Sequence, residues 1–234
     1  MKGNDTHTER VRERLSPRNK PQQDRSRVRL QALLDAAEDV IAESGLQGLA
    51  MREVARRANL PIASVYHYFP STAALIRALV ERHLEKMRGI LEAGLRTRFP
   101  MNADGLGADQ VKALLVEQVN GLIDDIAAFY FNTPSASEIW GGLQAYPDLR
   151  ALDIEDTKKN AALIQPVFDR FVPSPDSGQA HMMTMVLVES VSATLRFAVA
   201  LPPDVRGQMV DALKNFVTQW LTGLLQTAGG MNAD

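Results

Sequence analysis

Val54-Ala55-Arg56-Arg57-Ala58-Asn59-Leu60-Pro61-Ile62-Ala63-Ser64-Val65-Tyr66-His67-Tyr68-Phe69-Pro70-Ser71 sets two short apolar-patterned segments on either side of one tight turn. The first segment, about Met51 to Ala58, predicts a helix that buries Val54, Ala55 and Ala58. Asn59 is one of the few non-glycine residues that accepts a left-handed backbone. Leu60 plugs the turn, and Pro61 suits the first turn of a new helix, where its missing N–H is not needed. That helix spans Ile62 to Tyr68 and ends before Pro70. Upstream, Val28, Leu30, Leu33, Leu34, Ala37, Val40 and Ile41 recur at spacings of three and four, and Gly45 stops the helix they define. Three helices joined in this way make a helix-turn-helix plan. In that plan the last helix enters the DNA major groove and the second crosses the backbone.

The side chains suit a polyanion. The second helix presents Arg52, Arg56 and Arg57, whose guanidinium groups match phosphate oxygens and the guanine edge. Arg56 has an alternative partner in Glu53. The third helix is expected to expose Ser64, Tyr66, His67 and Tyr68, with Phe69 in the core. Taken without the motif, Tyr66 and Tyr68 read equally well as half-buried aromatics.

Helical periodicity continues to the C-terminus. Ser71 can cap a long helix from about Thr72 to Phe99. Further helices are expected at about Asp109 to Phe131, Ala136 to Ala145, Leu149 to Phe171, Gln179 to Leu201 and Asp204 to Leu225. Proline and glycine clusters separate them. No strand pair or repeat appears, so the fold class is all-α with about nine helices. Residues 1–24 are read as a disordered basic arm, 25–70 as a DNA-binding domain, 71–228 as an effector-binding and dimerisation domain, and 229–234 as a flexible tail.

Composition narrows the chemistry. The 234 residues include no cysteine, which excludes disulfides, thiolate zinc sites and a cysteine nucleophile. Net charge is only −2, but residues 1–29 hold nine Lys/Arg against four Asp/Glu. A basic front on an acidic body suits a chain that offers one end to nucleic acid. The first 30 residues lack an apolar stretch, so no leader is expected and the cytoplasm is the expected compartment. Met182 to Leu201 is the most apolar run, but Glu189 and Arg196 break it, making it a poor membrane span. His7, His67, His83 and His181 stand apart without ligand spacing, and no nucleophile or phosphate-loop motif is present. The expectation is a protein that is not an enzyme and uses no cofactor or metal.

Residues 26–80 resemble the tetracycline-repressor (TetR) family. The resemblance rests on Val54 to Ser71, including Tyr66-His67-Tyr68-Phe69, and on Leu33-Leu34-Asp35-Ala36-Ala37 ending at Gly45. Glu138-Ile139-Trp140 and Pro147-Asp148-Leu149-Arg150 are similar to regulatory-domain sequence of the same family. The resemblance implies that Arg52, Ile62, Ala63 and Ser64 face bases, that Tyr66 and Tyr68 bond phosphates, and that His67 sits at the groove. Three positions depart from the pattern. Ala50 replaces the usual Thr or Ser cap, Pro61 the usual Ser, and Thr72, in the contact set, the usual Lys. The arm, through Arg18, Lys20, Arg25 and Arg27, is expected to supply the missing charge.

The final helix carries Leu213, Phe216, Val217, Trp220 and Leu224, and the one before it Ser190, Ala193, Thr194 and Phe197. These are the dimer candidates, and the resemblance implies a four-helix bundle built from both subunits. It also implies an effector cavity among the middle helices. Candidates there are Phe129, Tyr130, Trp140, Leu143, Phe168, Met182 and Met185, with Glu189 as a lone acid. The expected partners are an operator in double-stranded DNA, a second copy of the chain, and a small, largely apolar effector, with no membrane. The expected function is a ligand-responsive transcriptional regulator, a repressor released from a palindromic operator. The alternatives are a helical interaction module that does not bind DNA and a TetR-like activator.

Overall fold

A computed structural model describes residues 20–99, 107–142, 147–171 and 177–230. Among these residues there are nine α-helices, one 3-10 turn and no strand. They are α1 (Lys20–Ser44), α2 (Met51–Arg57), α3 (Ile62–Tyr68), α4 (Thr72–Arg98), α5 (Ala108–Phe131), α6 (Ala136–Gly142), α7 (Pro147–Phe171), α8 (Ser177–Val199) and α9 (Pro203–Gly230).

Several boundaries differ from expectation. α1 begins at Lys20, inside the segment read as an irregular arm. α9 runs to Gly230, five residues past the expected end, so Gly229 and Gly230 are helical rather than tail. α7 runs through Pro166, whose missing N–H leaves the Ala162 carbonyl without its helical donor. Both residues are exposed, so water can satisfy that carbonyl. Arg18 and Leu143 lie outside the described residues.

The helix-turn-helix closes by local chemistry. Gly45 takes φ 68° and ends α1, and a 3-10 turn at Leu46–Gly48 leads to α2. Asn59 takes φ 52°. The Leu60 N–H donates to the Ala55 carbonyl at 3.0 Å and the Asn59 N–H to the Arg56 carbonyl at 3.2 Å. This is a Schellman ending, and it fixes the angle between α2 and α3. Pro61 lies just outside α3 as its N-cap, with ψ 143°. Leu33, Ala37, Ile41, Val54, Val65 and Leu75 are fully or almost fully buried, and together they hold α1 to α4 around one core. Burying each of the larger apolar side chains stabilises by about 1.5–3 kcal/mol.

α4 belongs to both halves. Its first turns pack on α1, and its remainder packs on α5 and α7. α7 lies along α8, α9 contacts α5 and α8, and α6 wedges between the α1 end of the molecule and α4, α5 and α8. One helical contact is close. A Cβ built on Gly94 would fall 2.5 Å from Leu122 Cδ1, so α4 and α5 are keyed together there.

Candidate DNA interface and effector cavity

α3 has two faces because its seven residues make two turns. Val65 points inward and is fully buried, and Phe69, just past the helix, is buried as well. Ile62, Ala63, Tyr66 and His67 point outward. Tyr66 is 53% exposed, a large aromatic held in solvent by a helix too short to hide it. Ser64 is half-buried. Tyr68 is half-buried too, and its hydroxyl lies 3.0 Å from Ser26 Oγ in the second turn of α1. The phosphate bond expected of Tyr68 therefore competes with Ser26. The same contact draws the exposed Arg25 and Arg27 to the α3 end of the domain. Thr72 opens α4 half-buried, beside the Ser71 cap, whose Oγ accepts from the Ala74 N–H at 3.2 Å.

The α2 arginines are not equivalent. Arg56 binds Glu53 through two bonds of 2.8 and 2.6 Å. Arg57 bridges Glu53 at 2.8 Å and Glu43, at 2.8 and 2.5 Å. The hydrogen bonds from Arg56 and Arg57 hold the Glu53 carboxyl at about 2. Arg52 is exposed and has no ion pair among the described residues. Of the three, it is the cation left for a phosphate or a base edge. The α2 N-cap, Ala50, offers no side-chain cap.

A polar cluster ties this domain to the rest. Arg82 Nη1 reaches Asp35 at 2.5 Å, and Nη2 lies 2.6 Å from Glu38. The fully buried His83 places Nε2 2.7 Å from Glu38 Oε1. Burial pushes the Glu38 carboxyl up, but the His83 bond and the Arg82 charge outweigh it and hold it at about 2. Glu138 of α6 adds a second tie, accepting from the Leu46 N–H at 3.2 Å.

A cavity of about 120 Å³ lies among α4, α5, α7, α8 and α9. Leu84, Met87, Leu91 and Leu95 of α4 form one wall, and Phe168 of α7 faces them. Of the seven described residues expected to form an effector pocket, Phe168 alone lines this cavity. Phe129, Tyr130 and Trp140 instead pack on one another and on His83, at ring separations of 5.7–6.3 Å. Burial of Tyr130 pushes its hydroxyl pKa well up. Met182 is 55% exposed, so it faces away from the cavity, and the half-buried Met185 does not line it either. Glu189 accepts from Thr157 at 3.1 Å and from Arg196 at 3.2 Å at the edge of the cavity. The residues missed are on α7. Asp153, Asp156 and Asn160 line the cavity at helical spacing above the apolar Ile164 and Phe171, a pattern visible in the sequence.

The dimer candidates divide in the same way. Leu213 and Val217 are buried in the chain's own core, which corrects their assignment to an intermolecular face. Trp220 stacks on Phe168 at 6.1 Å, and Leu224 packs beside it, so both serve the chain's interior first. Ser190 and Thr194 are half-buried, the Thr194 hydroxyl donating to the Ser190 carbonyl at 2.7 Å. Ala193, Phe197 and Phe216 are exposed, and Met182 and Val186 extend the α8 stripe that sequence reading missed.

Residues 33–79 match the family model described as bacterial regulatory proteins, tetR family. Residues 114–225 match the one described as tetracyclin repressor-like, C-terminal domain. The chain belongs to the TetR family. As a TetR regulator it binds DNA and controls transcription, and α1 to α3 are its helix-turn-helix. Similar proteins include the HTH-type transcriptional regulator BetI of Cronobacter sakazakii, 22% identical over 84% of this chain and 92% of that one. BetI of Burkholderia mallei is 29% identical over 75% of this chain and 85% of its own length. A TetR-family regulator from Pectobacterium atrosepticum has the same fold, with a TM-score of 0.61 at 17% identity over 86% of this TetR chain and 96% of that one.

Proposed function

We propose that this TetR regulator is a cytoplasmic homodimeric repressor, without catalytic activity, that a small and largely apolar molecule releases from a palindromic operator. The observation that carries the reading is the double engagement of α4. Four of its residues wall the cavity, and the two just before them, Arg82 and His83, grip α1 through Asp35 and Glu38. A ligand that prefers one position of α4 thereby prefers one placement of α3, and only such a difference in affinity can shift DNA binding.

The dimer is supported by an apolar surface that no described residue of the single chain covers. Phe197 on α8 and Phe216 on α9 are each 58% exposed. Met182, Val186, Ala193 and Phe197 fall on one α8 stripe. The segment Gly178–Val199 has the length and mean hydropathy, 1.4, of a membrane span. Its Glu189 and Arg196 are paired with each other, and Arg196 also with Asp153 of α7, which favours helix packing over lipid. Arg52, Ile62, Ala63, Ser64, Tyr66 and His67 form the proposed base and phosphate contacts. Arg25, Arg27 and the preceding arm supply the charge that Thr72 lacks.

The test is a mobility shift on the DNA upstream of the chain's own gene, alongside sedimentation at micromolar concentration. A specific shift by a dimer is expected. A chain beginning at Arg25 should bind more weakly, with a shallower salt dependence. A monomer, or binding with no sequence preference, overturns the reading.

A further inference from the structure

The cavity is not uniformly apolar, and its polar end has a definite electrical character. Along α7 its lining passes from Asp153, Asp156 and Asn160 to Ile164, Phe168 and Phe171. Three carboxylates meet there, Asp153, Asp156 and Glu189, against two guanidinium groups, Arg88 and Arg196. Arg88 is bound to Asp156. Arg196 divides itself between Asp153 at 3.0 Å and Glu189 at 3.2 Å, with its face over the Trp140 ring. Arg150, one turn before Asp153, is exposed and does not line the cavity, so solvent screens it. Glu189 is likewise exposed and off the lining, so the enclosed pairs Asp153–Arg196 and Asp156–Arg88 balance, but Asp153 shares its guanidinium with Glu189 and is left under-compensated.

Hydrogen-bond accounting points the same way. Arg196 and Thr157 direct their donors at carboxylates, and the Asn160 amide N–H donates to Asp156 at 2.7 Å. Asn160 Oδ1 is left buried with no donor among the described residues. Arg88 Nε is also buried without a partner, but Arg88 does not line the cavity. The unmet demand at the cavity wall is for a donor. Burial also pushes the Asp153 carboxyl pKa up, so its charge is only partly compensated by the guanidinium it shares. A buried acceptor without a donor is costly, and a molecule that supplies one gains accordingly.

We infer that the effector is an amine: a hydrocarbon body seated against Leu91, Leu95 and Phe168, and a protonated nitrogen that donates N–H bonds to Asp153 and Asn160. A carboxylate head would meet the lining carboxylate of Asp153 at like charge. An alcohol brings a donor without the charge. A quaternary ammonium brings the charge without a donor. This rests on the ligand-responsive reading above and names the chemistry of that same cavity.

The full-length protein is titrated at pH 7 with hexylamine, hexan-1-ol, hexanoate and hexyltrimethylammonium, followed by calorimetry and by tryptophan fluorescence, since Trp220 stacks on the cavity residue Phe168. Hexylamine is expected to bind on the order of tenfold more tightly than hexan-1-ol and the quaternary analogue, a difference worth about 1.4 kcal/mol. Hexanoate should be the weakest. Asp153→Asn should lower hexylamine affinity by a similar factor and leave hexan-1-ol within twofold. Hexan-1-ol or hexanoate matching hexylamine overturns the amine assignment and leaves ligand response standing. The quaternary analogue matching it overturns the N–H bond to Asn160. Binding by none of the four, with no amine releasing DNA, overturns the effector reading itself. The comparison on the wild-type protein needs no variant to fold.

Discussion

Replacing Glu38 with Gln tests the joint between α4 and the DNA-binding domain. The amide keeps the shape and can accept one hydrogen bond, but it offers no charge to Arg82 or His83. In the folded chain the carboxyl titrates at about 2 instead of 4.5, despite burial that opposes ionisation. At 1.36 kcal/mol per pH unit, that preference for the ionised form corresponds to roughly 3 kcal/mol. The carboxylate is partly in contact with solvent, so screening brings the expected contribution to about 1–2 kcal/mol. Arg82 would keep Asp35, an exposed partner worth less. Urea unfolding at pH 7 should show Glu38→Gln less stable by about 1–2 kcal/mol with an unchanged slope. The pH dependence has a fixed sign. A depressed folded pKa means the stabilisation is complete above pH 4.5 and is lost as pH falls toward 2. The gap between wild type and variant should therefore narrow over that window. A loss under about 0.5 kcal/mol at pH 7, or a gap that widens in acid, refutes the reasoning.

Two helical glycines in α4 should respond oppositely to alanine. A Cβ at Gly89 meets nothing within 4 Å, so Gly89→Ala should stabilise by about 0.5–1 kcal/mol. At Gly94 it meets Leu122 at 2.5 Å, so Gly94→Ala should forfeit that gain or lower the melting temperature, and equal gains in paired melts would refute the α4–α5 keying. Phe197→Glu combined with Phe216→Glu should give a monomer in sedimentation with helix content intact, and an unchanged dimer would show that another surface pairs the subunits. Tyr66→Phe should weaken operator binding by about fivefold, the equivalent of about 1 kcal/mol for one lost hydrogen bond, at unchanged thermal stability. Unaltered binding in that variant removes Tyr66 from the interface.

The helix-turn-helix was legible in sequence because its determinants are local. Asn59, Gly45, Pro61 and Ser71 each act within one turn of themselves, and the α3 boundaries followed from them. The candidate effector cavity was not legible, because a helix stripe does not reveal what it faces. Met182 and Phe168 are both apolar residues on amphipathic helices, yet one lies on an uncovered face and the other walls the cavity. Leu213 and Val217 share a stripe with Trp220, and only the packing of α5 and α8 on α9 shows that they are interior. The aromatic run Phe129-Tyr130 invited a pocket assignment, but its side chains fill their own space against His83 and Trp140. Asp153, Asp156 and Asn160 carry a readable signal, polar residues at spacings of three and four, but charged helix faces usually meet water and do not by themselves mark a cavity.

The polar end of the cavity touches both ties to the DNA-binding domain, and this bears on how a ligand there acts. The first tie is steric: Leu84 and Met87 line the cavity within one turn of Arg82 and His83, so displacement of α4 carries the grip on α1 with it. The second is electrostatic. Arg196 lies at the polar end and over Trp140 of α6, and Glu138 of α6 holds the Leu46 N–H in the turn that follows α1. A cation that takes over Asp153 frees Arg196 to turn fully to Glu189, shifting the guanidinium on the indole. The two ties hold the domain at different points, Asp35 and Glu38 within α1 and Leu46 in the turn after it. Moving one while the other holds would rotate the domain, and moving both together would translate it. In the proposed dimer, an operator read by two α3 helices at a fixed separation would tolerate neither.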